Sequence, residues 1–100
     1  MTDPERPFDA PWQAQAFALT VACSEAGAFS WPDWAATFGA VLAEAGEAAG
    51  GNDGYWQAWI EALERMLVAS GRAKTGEITA LAHAWQEAAR RTPHGTPITL

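Results

Sequence analysis

Tyr55-Trp56-Gln57-Ala58-Trp59-Ile60-Glu61-Ala62-Leu63-Glu64-Arg65-Met66-Leu67-Val68-Ala69-Ser70 is the stretch on which the fold turns. Within it Trp56, Trp59, Ile60, Leu63, Met66 and Leu67 stand at i, i+3, i+4, i+7, i+10 and i+11. That spacing lines one side of a 3.6-residue helix with large apolar groups. Glu61 and Arg65 fall on the other side, four apart and in the favourable order for an ion pair. Gly71 follows and stops the helix. The stretch therefore predicts an amphipathic helix over about residues 55–70, whose apolar face needs a layer of neighbours to cover it.

Upstream, Gly46 to Gly54 contains Gly50-Gly51-Asn52-Asp53-Gly54 and is expected to form a loop. Before it, Ser30-Trp31-Pro32-Asp33 supplies a cap, a tolerated early proline and an acid at the positive helix end. Trp34, Phe38, Val41 and Ala45 then share a helix face, with Leu42 beside it. Earlier still, Asp9 is the expected cap of a helix with Pro11 in its first turn. Trp12, Ala16, Leu19 and Cys23 repeat along that helix, Phe17 and Val21 widen the stripe, and Gly27 closes it. Residues 1–9, with Pro4, Pro7 and three acids, read as an extended arm.

Downstream, residues 72–79 read as a connection, with Thr79 capping a helix over Ala80 to Arg91 that presents Leu81, Trp85 and Ala88. Arg90 and Arg91 complement its negative end, and Pro93 bars continuation, so residues 92–100 are expected to be an irregular tail. No period-2 run of β-branched residues occurs. The expected fold is all-α: a single domain over residues 1–100, a small bundle of about four helices with an N-terminal arm and a C-terminal tail.

The composition suits that fold. Of 100 residues, 49% are hydrophobic, enough for a modest core without disulfides or metal. Much of that fraction is alanine, so the aromatic and branched side chains must supply the core volume. The formal net charge of −6 disfavours binding to nucleic acid or to an anionic membrane. The charge is uneven: residues 1–64 hold ten acids and one base, residues 65–100 five bases and two acids. An oriented dipole of this kind can steer docking, and a solvated acidic surface explains it equally. One cysteine, an acidic N-terminus and no long apolar run give the cytoplasm as the expected location.

Reactive chemistry is sparse. Cys23, His83 and His94 stand at no metal-ligand spacing, and Cys23 reads as a small buried hydrophobe. Ser24, Ser30 and Ser70 read as helix-terminal or solvent residues with no histidine beside them. Glu44 and Glu47 read as a solvated helix face. The glycine loop lacks the lysine and the preceding strand of a phosphate loop. Six tryptophans are the outstanding feature, five of them near predicted helix starts. Trp is enriched among interface anchors and is equally a core residue. For Trp12, Trp31 and Trp34 both readings stay open. Core packing accounts for at least one of Trp56 and Trp59.

Four pieces in order carry a family likeness. Pro11-Trp12-Gln13-Ala14-Gln15-Ala16-Phe17-Ala18-Leu19 leads to Gly27-Ala28-Phe29, then Trp31-Pro32-Asp33-Trp34. After the glycine loop comes Tyr55-Trp56-Gln57-Ala58-Trp59-Ile60-Glu61-Ala62-Leu63-Glu64. The set resembles the N-terminal helical region of nitrile hydratase β subunits and, more closely, the small accessory (activator) proteins similar to that region. The tail from Arg91 to Ile98 resembles the accessory group as well, and the likeness spans roughly residues 7–98.

The resemblance implies an activator that binds the nitrile hydratase α subunit where β will later sit. Such a protein assists insertion of cobalt or iron into α and oxidation of its cysteine ligands, and is not itself an enzyme. It implies no cofactor or metal held by this chain. Two departures favour a helper over a catalytic subunit. Ala35 follows Trp34 where the β subunit has an arginine, and with the chain ending at Leu100 no C-terminal barrel domain is expected. The alternative is a split β-type subunit of a three-subunit hydratase or of an enzyme resembling thiocyanate hydrolase. Trp12, Phe17, Trp31, Trp34, Tyr55 and Trp59 are the expected partner-binding residues, and self-association stays open.

Overall fold

The computed structural model describes residues 8–91, Arg90 and Arg91 by backbone alone. Most of the expected arm and all of the expected tail lie outside the described residues. Four α-helices follow one another: α1 (Pro11–Glu25), α2 (Trp31–Ala45), α3 (Asn52–Ala69) and α4 (Glu77–Arg91), with a 3₁₀ turn (Gly46–Ala49) between α2 and α3. No strand occurs among the described residues. Helix α3 is central: α2, the 3₁₀ turn, α4 and α1 all pack on it, and α1 also packs on α4.

The helix punctuation is mostly local chemistry. Ser30 caps α2, its Oγ accepting the Asp33 N–H at 3.3 Å. Gly27 (φ 84°) and Gly71 (φ 76°) end α1 and α3 in paired turns that only a left-handed residue closes comfortably. After α1, the N–H groups of Gly27 and Ala28 donate to the carbonyls of Ser24 and Cys23. After α3, those of Gly71 and Arg72 donate to Val68 and Leu67.

Three boundaries differ from the sequence reading. Asp9 does not cap α1. The N-cap is Ala10 with no side-chain bond, and the Asp9 N–H instead donates to Gln13 Oε1 at 2.9 Å. Helix α3 begins at Asn52, so Asn52-Asp53-Gly54 is its first turn and not the end of a loop. Gly54 lies so close to the Ala48 carbonyl that a Cβ there would overlap it. This close approach lets the 3₁₀ turn lie flat on α3. Helix α4 starts at Glu77, three residues before Ala80, and Thr79 is inside its first turn. Its orphan amides are satisfied from another helix: Glu64 Oε1 accepts the N–H of Ile78 (3.1 Å), the N–H of Thr79 (3.0 Å) and the Thr79 hydroxyl (3.2 Å). Glu77 Oε1 reaches back to the Lys74 N–H at 2.9 Å.

The core is built on the predicted stripe of α3. Trp56, Trp59, Ile60, Leu63 and Leu67 are buried, and Met66 packs against them half-buried. The buried side of α4 is Ile78, Ala82, Trp85 and Ala88, whereas Leu81 stays 39% exposed. Trp85 and Ala88 are thus buried as the sequence reading expects, and Ile78 and Ala82 take the inner place expected of Leu81. Helix α1 buries Trp12 and Ala16 as expected, together with two polar residues that a hydrophobic pattern overlooks, Gln13 and Thr20. Each is satisfied. Gln13 Nε2 donates to Asn52 Oδ1 at 2.8 Å. Thr20 Oγ1 donates to the Ala16 carbonyl and accepts the Trp59 indole N–H, both at 2.8 Å. No buried side-chain polar atom among the described residues lacks a partner.

Candidate interaction surface

A chain of aromatic rings runs through the bundle from buried to exposed positions. Trp34, 5% exposed, stacks on Phe29 (5.8 Å between centroids) and Phe38 (5.6 Å) and tilts against Trp59 (4.9 Å). Trp59 meets Trp56 at 4.8 Å, Phe17 at 6.0 Å and Tyr55 at 6.4 Å. Phe8 joins Phe17 (5.8 Å) to Trp56 (5.5 Å). At the other end Phe29 carries Trp31 on its edge, at 6.4 Å. The chain surfaces at Phe17 (43% exposed), Tyr55 (37%) and Trp31 (45%).

The six expected partner residues therefore divide. Phe17, Trp31 and Tyr55 present their rings to solvent; Trp12, Trp34 and Trp59 fill the interior. The reason is position within the bundle. Trp12, Trp34 and Trp59 are covered by neighbouring elements, while Trp31, the first residue of α2, lies at the helix's end against the edge of Phe29 and stays open to solvent. The indole N–H of Trp59 has its partner in Thr20, so that ring needs no outside acceptor.

The exposed end of the ring chain encloses a cleft of about 480 Å³ lined by Phe8, Phe17, Asn52, Tyr55, Trp56 and Trp59. Three of these were not expected at a binding surface: Phe8, Trp56 and Asn52, the last of which falls in the expected loop. Phe8 falls in the expected arm, and Trp56 reads as core from its place on the stripe. The available signal was Phe8 itself, a lone aromatic just ahead of a helix start, placed to fold back on it. Hydrogen bonds hold the cleft's end together: the Asp9 N–H donates to Gln13, and Gln13 donates to Asn52.

The outer faces of α1 and α2 carry little charge. Between Pro11 and Ser24 α1 has no charged residue, and Phe17, Ala18 and Ala22 are exposed. On α2, Trp31, Ala35, Ala36, Gly39, Ala40 and Ala43 are exposed. An ordinary surface helix keeps its charges on that side.

A second groove of about 560 Å³ lies between α2 and α3, with Glu44, Asp53, Glu61 and Arg65 among the residues on its walls. Arg65 forks to Glu44 (2.8 and 3.0 Å) and donates to Glu61 (2.7 Å). The hydrogen bonds from Arg65 hold the Glu44 carboxyl below the usual range, and those to Glu44 and Glu61 push the guanidinium up. Glu44 is thus one arm of an α2–α3 clip.

Cys23 is half-buried, and burial pushes its thiol up despite Arg72 nearby. His83 is exposed, and His94 lies outside the described residues. Among the described residues no three His, Cys, Asp or Glu side chains are grouped to hold a metal ion. Among them no helix is long and apolar enough to cross a membrane. The model of the N-terminal domain of the nitrile hydratase β subunit matches residues 1–98. No match emerged among curated proteins or among solved structures.

Proposed function

The chain belongs to the nitrile hydratase β-subunit N-terminal family, and from that premise we propose that it is an assembly chaperone for a nitrile hydratase α subunit. It docks on α in the place of β and holds it receptive to cobalt or iron and to oxidation of its cysteine ligands. It takes no part in turnover itself. The observation that carries this reading is the sparsely charged outer surface of α1 and α2, on which Phe17 and Trp31 are exposed, on a chain of net charge −6. Such a surface gains by being covered, because burying it removes apolar area from water while desolvating few charges. Ala35, exposed beside Trp34, supports a helper over a completed active site. The resemblance leads one to expect an arginine there, and a methyl group offers nothing to an oxidised cysteine.

Co-expression tests it. The α subunit made with this chain is expected to form a complex with it and to carry more metal, and to give more active enzyme when β is added, than α made alone. Trp31→Ala should weaken that complex by about 2 kcal/mol. Equal metal content and equal activity with the chain omitted would refute the proposal. Retention at fixed stoichiometry in the mature enzyme, read by native mass spectrometry, would replace it by the split β-type subunit.

A further inference from the structure

We infer that the groove between α2 and α3 receives an arginine side chain from the partner. This deepens the docking role proposed above by naming the chemistry of one contact, and it rests on that role for the partner. The groove, of about 560 Å³, joins an apolar floor to a carboxylate rim. Its lining includes Val41 and Ala58, both buried, which form the floor. On the α3 side Asp53, Gln57, Glu61 and Arg65 line it at intervals of four residues, a single row with about 6 Å of rise between members. Glu44 faces that row from α2: Arg65 forks to it across the groove at 2.8 and 3.0 Å and also holds Glu61 at 2.7 Å. One end of the groove is thereby tied shut by a cation of the chain itself.

The other end has no such partner. Among the described residues, the side chains of Asp53 and Gln57 make no hydrogen bond or ion pair, and both are exposed. Glu61 gives one of its two oxygens to Arg65. Three carboxylates against one guanidinium leave the groove with a formal charge of −2. No further base in either wall balances it, because the chain carries no lysine or arginine between Arg6 and Arg65. An apolar guest would strip water from Asp53 and Glu61 and return nothing. An acidic guest would be repelled. An arginine matches both parts of the groove. Its aliphatic stem covers Val41 and Ala58, and its planar head brings several N–H donors to Asp53, to Gln57 Oε1 and to the second oxygen of Glu61. The groove also opens where docking is proposed: Ala40, exposed on the outer surface of α2, stands one turn from Glu44 at i, i+4.

The test is titration of the whole chain with the peptide acetyl-Gly-Ala-Arg-Ala-Gly-amide, and with the same peptide carrying citrulline or leucine in place of arginine, followed by amide NMR. Citrulline keeps the shape of arginine and removes the charge. The arginine peptide should shift the backbone amides of Asp53, Gln57 and Glu61 and the Gln57 side-chain amide saturably, and bind about fivefold tighter than the citrulline peptide. Added salt should narrow that gap. Asp53→Asn, and separately Gln57→Ala, should each weaken the arginine peptide while the far-UV circular dichroism stays that of the parent, since both side chains are exposed. Glu25→Gln, on α1, should change nothing. Equal binding of the arginine and citrulline peptides, tighter binding of the leucine peptide, shifts as large at Glu25 and Asp33 as in the groove, or binding untouched by both Asp53→Asn and Gln57→Ala would overturn the inference. An α subunit that docks on the Asp53→Asn, Gln57→Ala double variant as tightly as on the parent would also overturn it, yet leave the chaperone role standing. An arginine peptide held in the groove of a chain that never binds α would uphold the groove's chemistry and refute the chaperone role, so the two failures are separable.

Discussion

Replacing Thr20 by valine removes one hydroxyl from the centre of the molecule and changes almost nothing else in shape. Thr20 is fully buried, and its Oγ1 is the acceptor for the Trp59 indole N–H at 2.8 Å. In Thr20→Val that donor faces a methyl group. Trp59 is 8% exposed and wedged against Trp34, Phe38 and Trp56, so the indole cannot turn to water without moving the ring chain. A buried donor left unpaired costs about 1–3 kcal/mol. The bond from Thr20 to the Ala16 carbonyl is lost as well, but that carbonyl lies within α1, where the helix supplies other donors. The net expectation is about 2 kcal/mol, or a melting temperature lowered by about 8–16 °C for a domain of this size.

Urea unfolding followed at 222 nm measures the cost. The double variant identifies its origin. Trp59→Phe removes the indole N–H and should be costly for its lost volume. Adding Thr20→Val to it should then cost about 1–2 kcal/mol less than in the parent chain, because no donor remains to be orphaned. If Thr20→Val falls within about 0.5 kcal/mol of the parent, or if the two changes add, the hydroxyl is not what holds Trp59 in the core.

Two further substitutions probe the fold's joints. Partial burial works against the Glu64 carboxylate, but its bonds from the amides of Thr79, Gly76 and Ile78 and from the Thr79 hydroxyl outweigh this and hold its pKa below the ordinary value. Its stabilisation is therefore full above the unfolded carboxylate pKa and lost as pH falls through the lower folded value. Glu64→Ala should cost about 1 kcal/mol near neutrality, and thermal melts from pH 7 down to pH 3 should show the difference from the parent shrinking on the acid side; a gap independent of pH would refute the cap. Gly54→Ala would ordinarily stabilise a helix, yet here the added methyl should cost about 1–3 kcal/mol in a chemical denaturation experiment because it meets the Ala48 carbonyl; a gain in stability would show that the 3₁₀ turn yields freely.

The amphipathic stripe of α3 was legible because it is local: large apolar residues at helical spacing can be buried together only on one side of a helix. The Ser30 cap, the stops at Gly27 and Gly71 and the Glu61–Arg65 pair were legible for the same reason, each being a contact between near neighbours in the chain. The start of α4 was not, since its amides are satisfied by Glu64, and no short-range pattern announces a cap supplied from fourteen residues away. Nor was the pairing of Thr20 with Trp59, thirty-nine residues apart, which makes an apparently misplaced polar residue part of the core.

Periodicity established that the chain is an all-helical bundle and that aromatic rings dominate it. Which rings fill the interior and which meet solvent depended on how each helix is rotated against its neighbours. Trp31 and Trp34 are three residues apart on one helix, with the same side chain, and one is 45% exposed while the other is 5% exposed. Composition cannot separate them. Tertiary packing does: Trp34 lies against Phe38 and Trp59 inside the bundle, whereas Trp31, on the same side but at the very start of α2, meets the edge of Phe29 and is left for water or a partner.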